Sequence, residues 1–173
     1  MNMAVTSEDD KPWKTDLARK SALRREQVLR DVEEAIRKAP SFEEALKQAL
    51  ELMKRRFGRY SAITAYVADG EDLVVHTSLD RPQGPERVWS GGGPLAEAAQ
   101  GHGATVVSDL STKPAWGGVG LATGSAMVAP VRTEAGLWAI VEVWSDFRDA
   151  FTPQDVKLLD RVVAALGRKT PAA

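Results

Sequence analysis

The sequence predicts an α+β domain: an antiparallel sheet of about five or six strands, with N- and C-terminal helices on one face and small middle elements on the other. Three observations predict it. Two apolar, β-rich runs, SAMVAPV at 125–131 and LWAIVEVW at 137–144, flank the short connection Glu134-Ala135-Gly136, which is the pattern of a hairpin. Helix-period stripes lie near the two ends of the chain, at 15–39, 41–57 and 153–166. The middle is rich in Gly and Pro, so it holds short elements and loops.

Composition removes several function classes. The 173 residues suit one domain with a sizeable core. Basic and acidic side chains nearly cancel, 23 against 24, so no overall field favours nucleic acid. There is no cysteine, which excludes disulfides, thiolate metal sites and thiol nucleophiles together. The start, MNMAVTSEDDKP, is polar and acidic. It lacks the apolar core of a signal peptide, and no stretch approaches membrane-spanning length. The expectation is a cytoplasmic chain with no nucleic-acid and no membrane partner.

Residues 1–13 read as a disordered tail. Thr15 can cap a long helix that Pro40 ends. Ala18, Ala22, Leu29, Val32 and Ile36 form its stripe, interrupted by Arg25. Its first half is basic, with Lys14, Arg19, Lys20, Arg24, Arg25 and Arg30. That face is either solvated or a docking surface for a second copy or a partner. Ser41 and Glu44 form a capping box for the next helix. Phe42, Leu46, Ala49, Leu50, Met53 and Phe57 are its core stripe, and Gly58 ends it.

Residues 61–68 and 73–78 read as strands around Asp69-Gly70. Alternation puts Ala62, Thr64 and Tyr66 on one face of the first and Ile63, Ala65 and Val67 on the other. A short strand at 86–89, a helix at 95–100 and a strand at 104–108 follow. The loop Trp116-Gly117-Gly118-Val119-Gly120 then leads towards the hairpin. After the hairpin, Thr152 is a good N-cap, Pro153 suits the first helical position and Asp155 puts an acid in the first turn. Phe151 and Val156 occupy the positions of a hydrophobic staple. Val156, Leu159, Val163 and Leu166 form the stripe, and Gly167 stops the helix.

The order "small-x-apolar-x-Pro-Val, turn, Leu-x-Ala-Ile-Val-Glu-Val, then Phe-Thr-Pro-Gln-Asp and an apolar helix" resembles the C-terminal half of a GAF domain. The first capped helix, the strand ending in Asp69-Gly70 and the segment before Val106-Val107-Ser108-Asp109 extend the resemblance over roughly 41–167. It implies a GAF-like (PAS/profilin-like) fold that binds a small molecule or a protein and reports through its terminal helices. The division it implies is a tail at 1–13, a signalling or dimerisation helix at 14–40, the GAF-like domain at 41–167 and a tail at 168–173. Bilin attachment in phytochrome relatives needs a cysteine, and this chain has none. Free methionine-(R)-sulfoxide reductases are similar over the capped helices and hairpin but rely on cysteines and on hairpin carboxylates. Only Glu142 stands at one of those carboxylate positions, with Ala126 and Trp144 at two others. The Asn-Lys-x-x-Phe pattern of cyclic-nucleotide-binding members is missing.

Little in the residues suggests catalysis. His76 and His102 are two histidines without an evident third ligand, and each reads first as a solvated or hydrogen-bonded side chain. Gly118-Val119-Gly120 does not join a strand to a helix and is no dinucleotide fingerprint. The tryptophans carry more. On the second hairpin strand, alternation groups Trp138, Ile140, Glu142 and Trp144, opposite Ala139, Val141 and Val143. The smooth face suits helices. The other face, joined by Thr64 and Tyr66 and covered by loops carrying Trp89, Asp109 and Trp116, is either a ligand pocket with Glu142 as polar anchor or a closed core. In the closed core, one of Arg81, Arg87 or Arg132 neutralises Glu142. The reading is a non-catalytic sensor or regulatory domain, homodimeric through its N-terminal helix, with no cofactor beyond an unidentified small-molecule ligand and with a separate signalling protein as output. A protein-interaction module without ligand and an enzyme on a small oxidised or amino-acid-like substrate are the alternatives.

Overall fold

The computed structural model describes residues 12–80, 86–89, 93–112 and 123–169. The elements in order are α1 (Pro12–Lys38), α2 (Phe42–Arg56), β1 (Ala62–Asp69), β2 (Asp72–Leu79), β3 (Arg87–Trp89), α3 (Gly93–Gln100), β4 (Thr105–Val107), a single 3-10 turn (Leu110–Thr112), β5 (Ser125–Thr133), β6 (Gly136–Ser145) and α4 (Pro153–Arg168). The strands form one sheet in the order β3-β2-β1-β6-β5-β4, with every neighbouring pair antiparallel. The expected α+β architecture is therefore present, with α4 packed on the sheet and α1 packed on α2 and α4.

The smooth sheet face takes the helices. Ile63 and Ala65 of β1, Met127, Ala129 and Val131 of β5, and Ala139, Val141 and Val143 of β6 share one buried cluster with α1, α2 and α4. Small and β-branched residues leave a flat surface on which helices settle closely. From α2 come Phe42, Leu46, Ala49, Leu50 and Met53, all buried. From α4 come Leu158, Leu159, Val162, Val163, Ala165 and Leu166, a wider stripe than the sequence spacing suggested. Val28, Leu29, Val32 and Ile36 of α1 are buried in the same cluster, while Ala18 and Ala22 continue the stripe into the exposed first half of the helix.

Several local expectations need correction. The capping box of α2 is half made: Ser41 Oγ accepts the Glu44 N–H, but the Glu44 carboxylate accepts from Gln48 Nε2 at 2.9 Å. The box of α4 is complete, with Thr152 and Asp155 exchanging bonds. Gly167 does not stop α4, which runs through Arg168 to a C-cap at Lys169. Glycine is there because the helix backbone lies against β5: a Cβ at that position would overlap the Arg132 carbonyl oxygen. Lys169, placed in the sequence reading in a disordered tail, donates to the carbonyl of Ala39. Residues 1–11 and 170–173 of the two expected tails lie outside the described residues.

Trp138 is on the other face from the one alternation assigned. Val131 pairs with Ala139, but Arg132 pairs with Leu137, so β6 carries one extra residue. This bulge inverts the alternation N-terminal to it. Trp138 turns to the helix side and meets Phe42 edge-on at 4.8 Å, and Leu137 joins the opposite face.

Candidate functional site

The opposite sheet face carries a polar row. Glu142 of β6 pairs in register with Thr64 of β1 and with Val128 of β5, and Thr64 pairs with Ser78 of β2. Neighbours across strands at this register stand side by side on one face. Thr64 Oγ1 lies 3.3 Å from Ser78 Oγ. One row along, Ile140 pairs with Tyr66; on the other side Trp144 pairs with Ala62 and Ala126. Five of the eight predicted site residues thus share a contiguous patch: Thr64, Tyr66, Ile140, Glu142 and Trp144. The burial is deep, with Thr64 1%, Tyr66 0%, Ile140 0% and Glu142 4% exposed.

What covers the patch is the middle of the chain. Leu95 and Ala98 of α3 and Leu110 of the 3-10 turn close a second apolar cluster on Tyr66, Leu73, Val128 and Ile140. Asp109 serves that closure rather than facing the patch with a free carboxylate. Its Oδ1 accepts from Ser111 N–H at 3.0 Å and from Ser111 Oγ at 2.6 Å, and lies 3.5 Å from Arg148 Nε. The two Ser111 bonds hold its carboxyl below the usual aspartate range, with Arg148 adding to the effect. The 3-10 turn that delivers Leu110 is built on this Asx-type bond.

The segment 113–122, which includes Trp116, lies outside the described residues, but both of its anchor points are defined. Leu110 N–H donates to the Gly124 carbonyl at 2.9 Å, so the chain leaves and returns at one place. Trp144 Nε1 donates to the Thr123 carbonyl at 3.3 Å. Gly124 has φ +93°, and a Cβ there would overlap the Ser145 carbonyl oxygen; only glycine meets both conditions. The described residues on either side of 113–122 are therefore joined to each other and, through Thr123, to Trp144. Trp89 pairs with Asp72 at the outer strand, and its side chain is outside the described residues.

A carboxylate as deep as Glu142 requires hydrogen bonds or an opposite charge. Of the three arginines considered, Arg87 pairs with Asp69 at 2.8 Å and Asp72 at 2.9 Å. Arg132 donates to the carbonyls of Ala99 and Gly101 at the C-terminal end of α3, where unpaired helix carbonyls attract cations. Arg81 lies outside the described residues. His76 is exposed and bonds only locally, to Thr77 Oγ1 at 2.9 Å, and His102 is exposed. Among the described residues no group of His, Asp and Glu is arranged to hold a metal ion, and no helix is long and apolar enough to cross a membrane.

The sequence reading missed a second polar centre, on the helix side. The Asp155 side chain is fully buried. It accepts from Arg59 Nη2, from Tyr60 Oη at 3.1 Å, and from Thr152 N–H and Oγ1 at 2.8 Å each. Arg25 Nε stands 3.5 Å away. Burial pushes this carboxyl up, but the Thr152 bonds and Arg59 outweigh it and hold it below the usual range. The Tyr60 phenol is pushed far up, by burial first and then by Asp155. The signal was present: Arg25 breaks the apolar stripe of α1, and an arginine in a core stripe requires an acid facing it.

The sequence profile of the GAF domain matches residues 39–168. No curated protein sequence matches the chain. Among solved structures, a candidate GAF sensor protein from Burkholderia vietnamiensis is similar, at 21% identity over 86% of this chain and 94% of that one, with a TM-score of 0.77. A free methionine-R-sulfoxide reductase from Neisseria meningitidis, in complex with its substrate, is similar at 22% identity over 87% of this chain and 89% of that one, with a TM-score of 0.72. A further GAF domain structure aligns at 15% identity over 86% and 88%, also with a TM-score of 0.72. At these identities the likeness is one of fold, and this chain has no cysteine for thiol-based sulfoxide chemistry. The profile match covers most of the sequence and the sheet order and helices agree with it: the chain belongs to the GAF domain family.

Proposed function

We propose that this GAF domain is a non-catalytic sensor that takes a small polar molecule on the Thr64–Tyr66–Glu142 face and reports it through α1 and α4. The observation that carries the reading is the row Ser78–Thr64–Glu142, two hydroxyls and a carboxylate in register across three strands on the face away from the helices, with Thr64 and Glu142 buried and Ser78 exposed at its outer end. A core that needed only to be filled would be apolar there. A ligand with an amino group or other donor suits that row, and Trp144 offers an aromatic wall at its edge. The terminal helices are the output, because α1 and α4 pack together on the opposite face and α1 extends beyond it. The exposed first half of α1, with Leu17 58% and Leu23 59% exposed, is proposed to pair with a second copy or to dock a separate signalling protein.

Native mass spectrometry of the purified chain tests both parts, reading bound small molecule and oligomer together. Titration of tryptophan fluorescence with a metabolite panel then identifies the ligand. The response should vanish in Glu142→Gln while the fold is kept. A ligand response that survives this substitution refutes the site. Light scattering of the full chain against Leu17→Glu tests the helix pairing, and a monomer at high concentration refutes it.

The second reading, an interaction module with no ligand, is favoured by the closure of Tyr66 and Ile140, both at 0% exposure under Leu95 and Leu110. It predicts that no member of the panel changes the fluorescence.

A further inference from the structure

The geometry points to an oxyanion site of the phosphate class at the root of α1, distinct from the Glu142 face. Four arginines line one cleft of about 240 Å³. Arg24 and Arg25 come from α1 together with Ser21, Arg56 is the last residue of α2, and Arg59 lies on the link to β1. A charged helix face would spread these groups into solvent. Here three segments bring them to one point.

Each guanidinium is anchored to the protein. Arg24 Nη2 donates to the Arg56 carbonyl at 2.6 Å, Arg25 Nη1 to Ser21 Oγ at 2.8 Å, Arg56 Nη2 to Asp31 Oδ2 at 3.1 Å, and Arg59 Nη2 to Asp155 Oδ1. These bonds fix the side chains and leave each fork with donors to spare. The deeper pair also faces Asp155: Arg25 Nε stands 3.5 Å from its Oδ1, while Nε of Arg59 is buried without a hydrogen-bond partner. A buried donor in that state is uncommon and points to an absent acceptor.

Charge sets the class of ligand. Four guanidiniums face two carboxylates, Asp31 and Asp155, so four minus two leaves an excess of two positive charges. A dianion balances that excess, whereas a carboxylate would balance half of it. Arginine forks match the oxygens of phosphate in pairs. Size agrees, since the cleft is below the usual range for drug-sized ligands. It admits a phosphate group. A bound dianion would join Ser21, Arg24 and Arg25 of α1 to the corner after α2, fastening the helix where it leaves the domain.

Isothermal titration calorimetry on the full chain tests this, with inorganic phosphate, glycerol 3-phosphate and, at matched ionic strength, chloride. Both phosphates should bind and chloride should not. Tighter binding of the ester identifies a phosphorylated metabolite as the ligand, and tighter binding of the inorganic ion identifies free phosphate. The variant Arg24→Gln/Arg56→Gln touches neither Asp155 nor the core, and should weaken phosphate by about tenfold or more, the loss of charge-assisted bonds. Arg19→Gln, on the same basic helix but outside the cleft, should leave the affinity unchanged. No heat from either phosphate at about 10 mM, an equal response to chloride, or equal weakening by Arg19→Gln overturns the site.

Discussion

Replacing Asp155 with Asn should loosen the junction of α1, α4 and the start of the sheet. The substitution keeps size and one acceptor oxygen, so the cap on Thr152 can persist in part. It removes the charge that Arg59 and Arg25 face, and it presents an amide NH2 to one of them. Breaking a buried pair by removing one partner costs about 3–5 kcal/mol. The lower end applies, because Arg59 is 35% and Arg25 17% exposed and water recovers part of their solvation. About 3 kcal/mol is a large share of a stability that runs to about 5–15 kcal/mol. For a chain of this length it lowers Tm by about 6–12 °C. The effect has a defined pH dependence. The folded carboxyl is held below its usual value, so its contribution is full above the unfolded pKa of about 3.9 and is lost as pH falls through the lower, folded value. Urea denaturation of wild type and Asp155→Asn should therefore differ by a constant amount from pH 5 to 8, and the two should converge in acid. A difference below about 1 kcal/mol at neutral pH, or one that grows in acid, refutes the assignment.

Other outcomes follow from single contacts. Gly167→Ala should destabilise by about 1–3 kcal/mol in urea melts, because the added methyl meets the Arg132 backbone and neither partner is a side chain that can turn away. Leu46→Ala, at a fully buried position of α2, should cost about 2–5 kcal/mol by the same assay. In a Tyr66→Phe background, ultraviolet titration should show Tyr60 still protonated well above pH 10, since burial and Asp155 both oppose its ionisation. Its release should coincide with unfolding, and ionisation near pH 10 in the folded chain would contradict the burial.

The layers of this fold were legible because each rests on a local pattern. The alternation of β1 and β6 separated Ile63, Ala65, Val141 and Val143 from Thr64, Tyr66 and Glu142, and the two clusters divide along that line. Thr152-Pro153-x-Asp155 announced the start of α4. What escaped depends on contacts remote in sequence. The bulge that turns Trp138 to Phe42 arises in the pairing with β5, and nothing in β6 alone announces it. Gly167 looked like a helix stop because its reason, the Arg132 carbonyl, lies on another strand. Asp109 looked like a pocket acid, yet its carboxylate is bound two residues away by Ser111. Arg25 and Asp155 both stand out in the sequence, one as an interruption of a stripe and one as an acid in the first turn of a helix. Only the crossing of α1 and α4 makes them one feature.

The central pairing of β1 with β6 has a consequence for how such a domain diversifies. Val67 lies beside Ala139, so this pairing brackets everything from 68 to 138. The entropy of closing so long a bracket grows only with the logarithm of its length, at about 0.6 kcal/mol for each doubling. Residues added to or taken from the loops of this segment therefore change the folding free energy little, while they change the cover of the sheet face that carries Glu142. If the Glu142 face binds a ligand as proposed, its specificity would be rewritten by insertion and deletion in the loops of that segment, with β5, β6 and the helices left as they are.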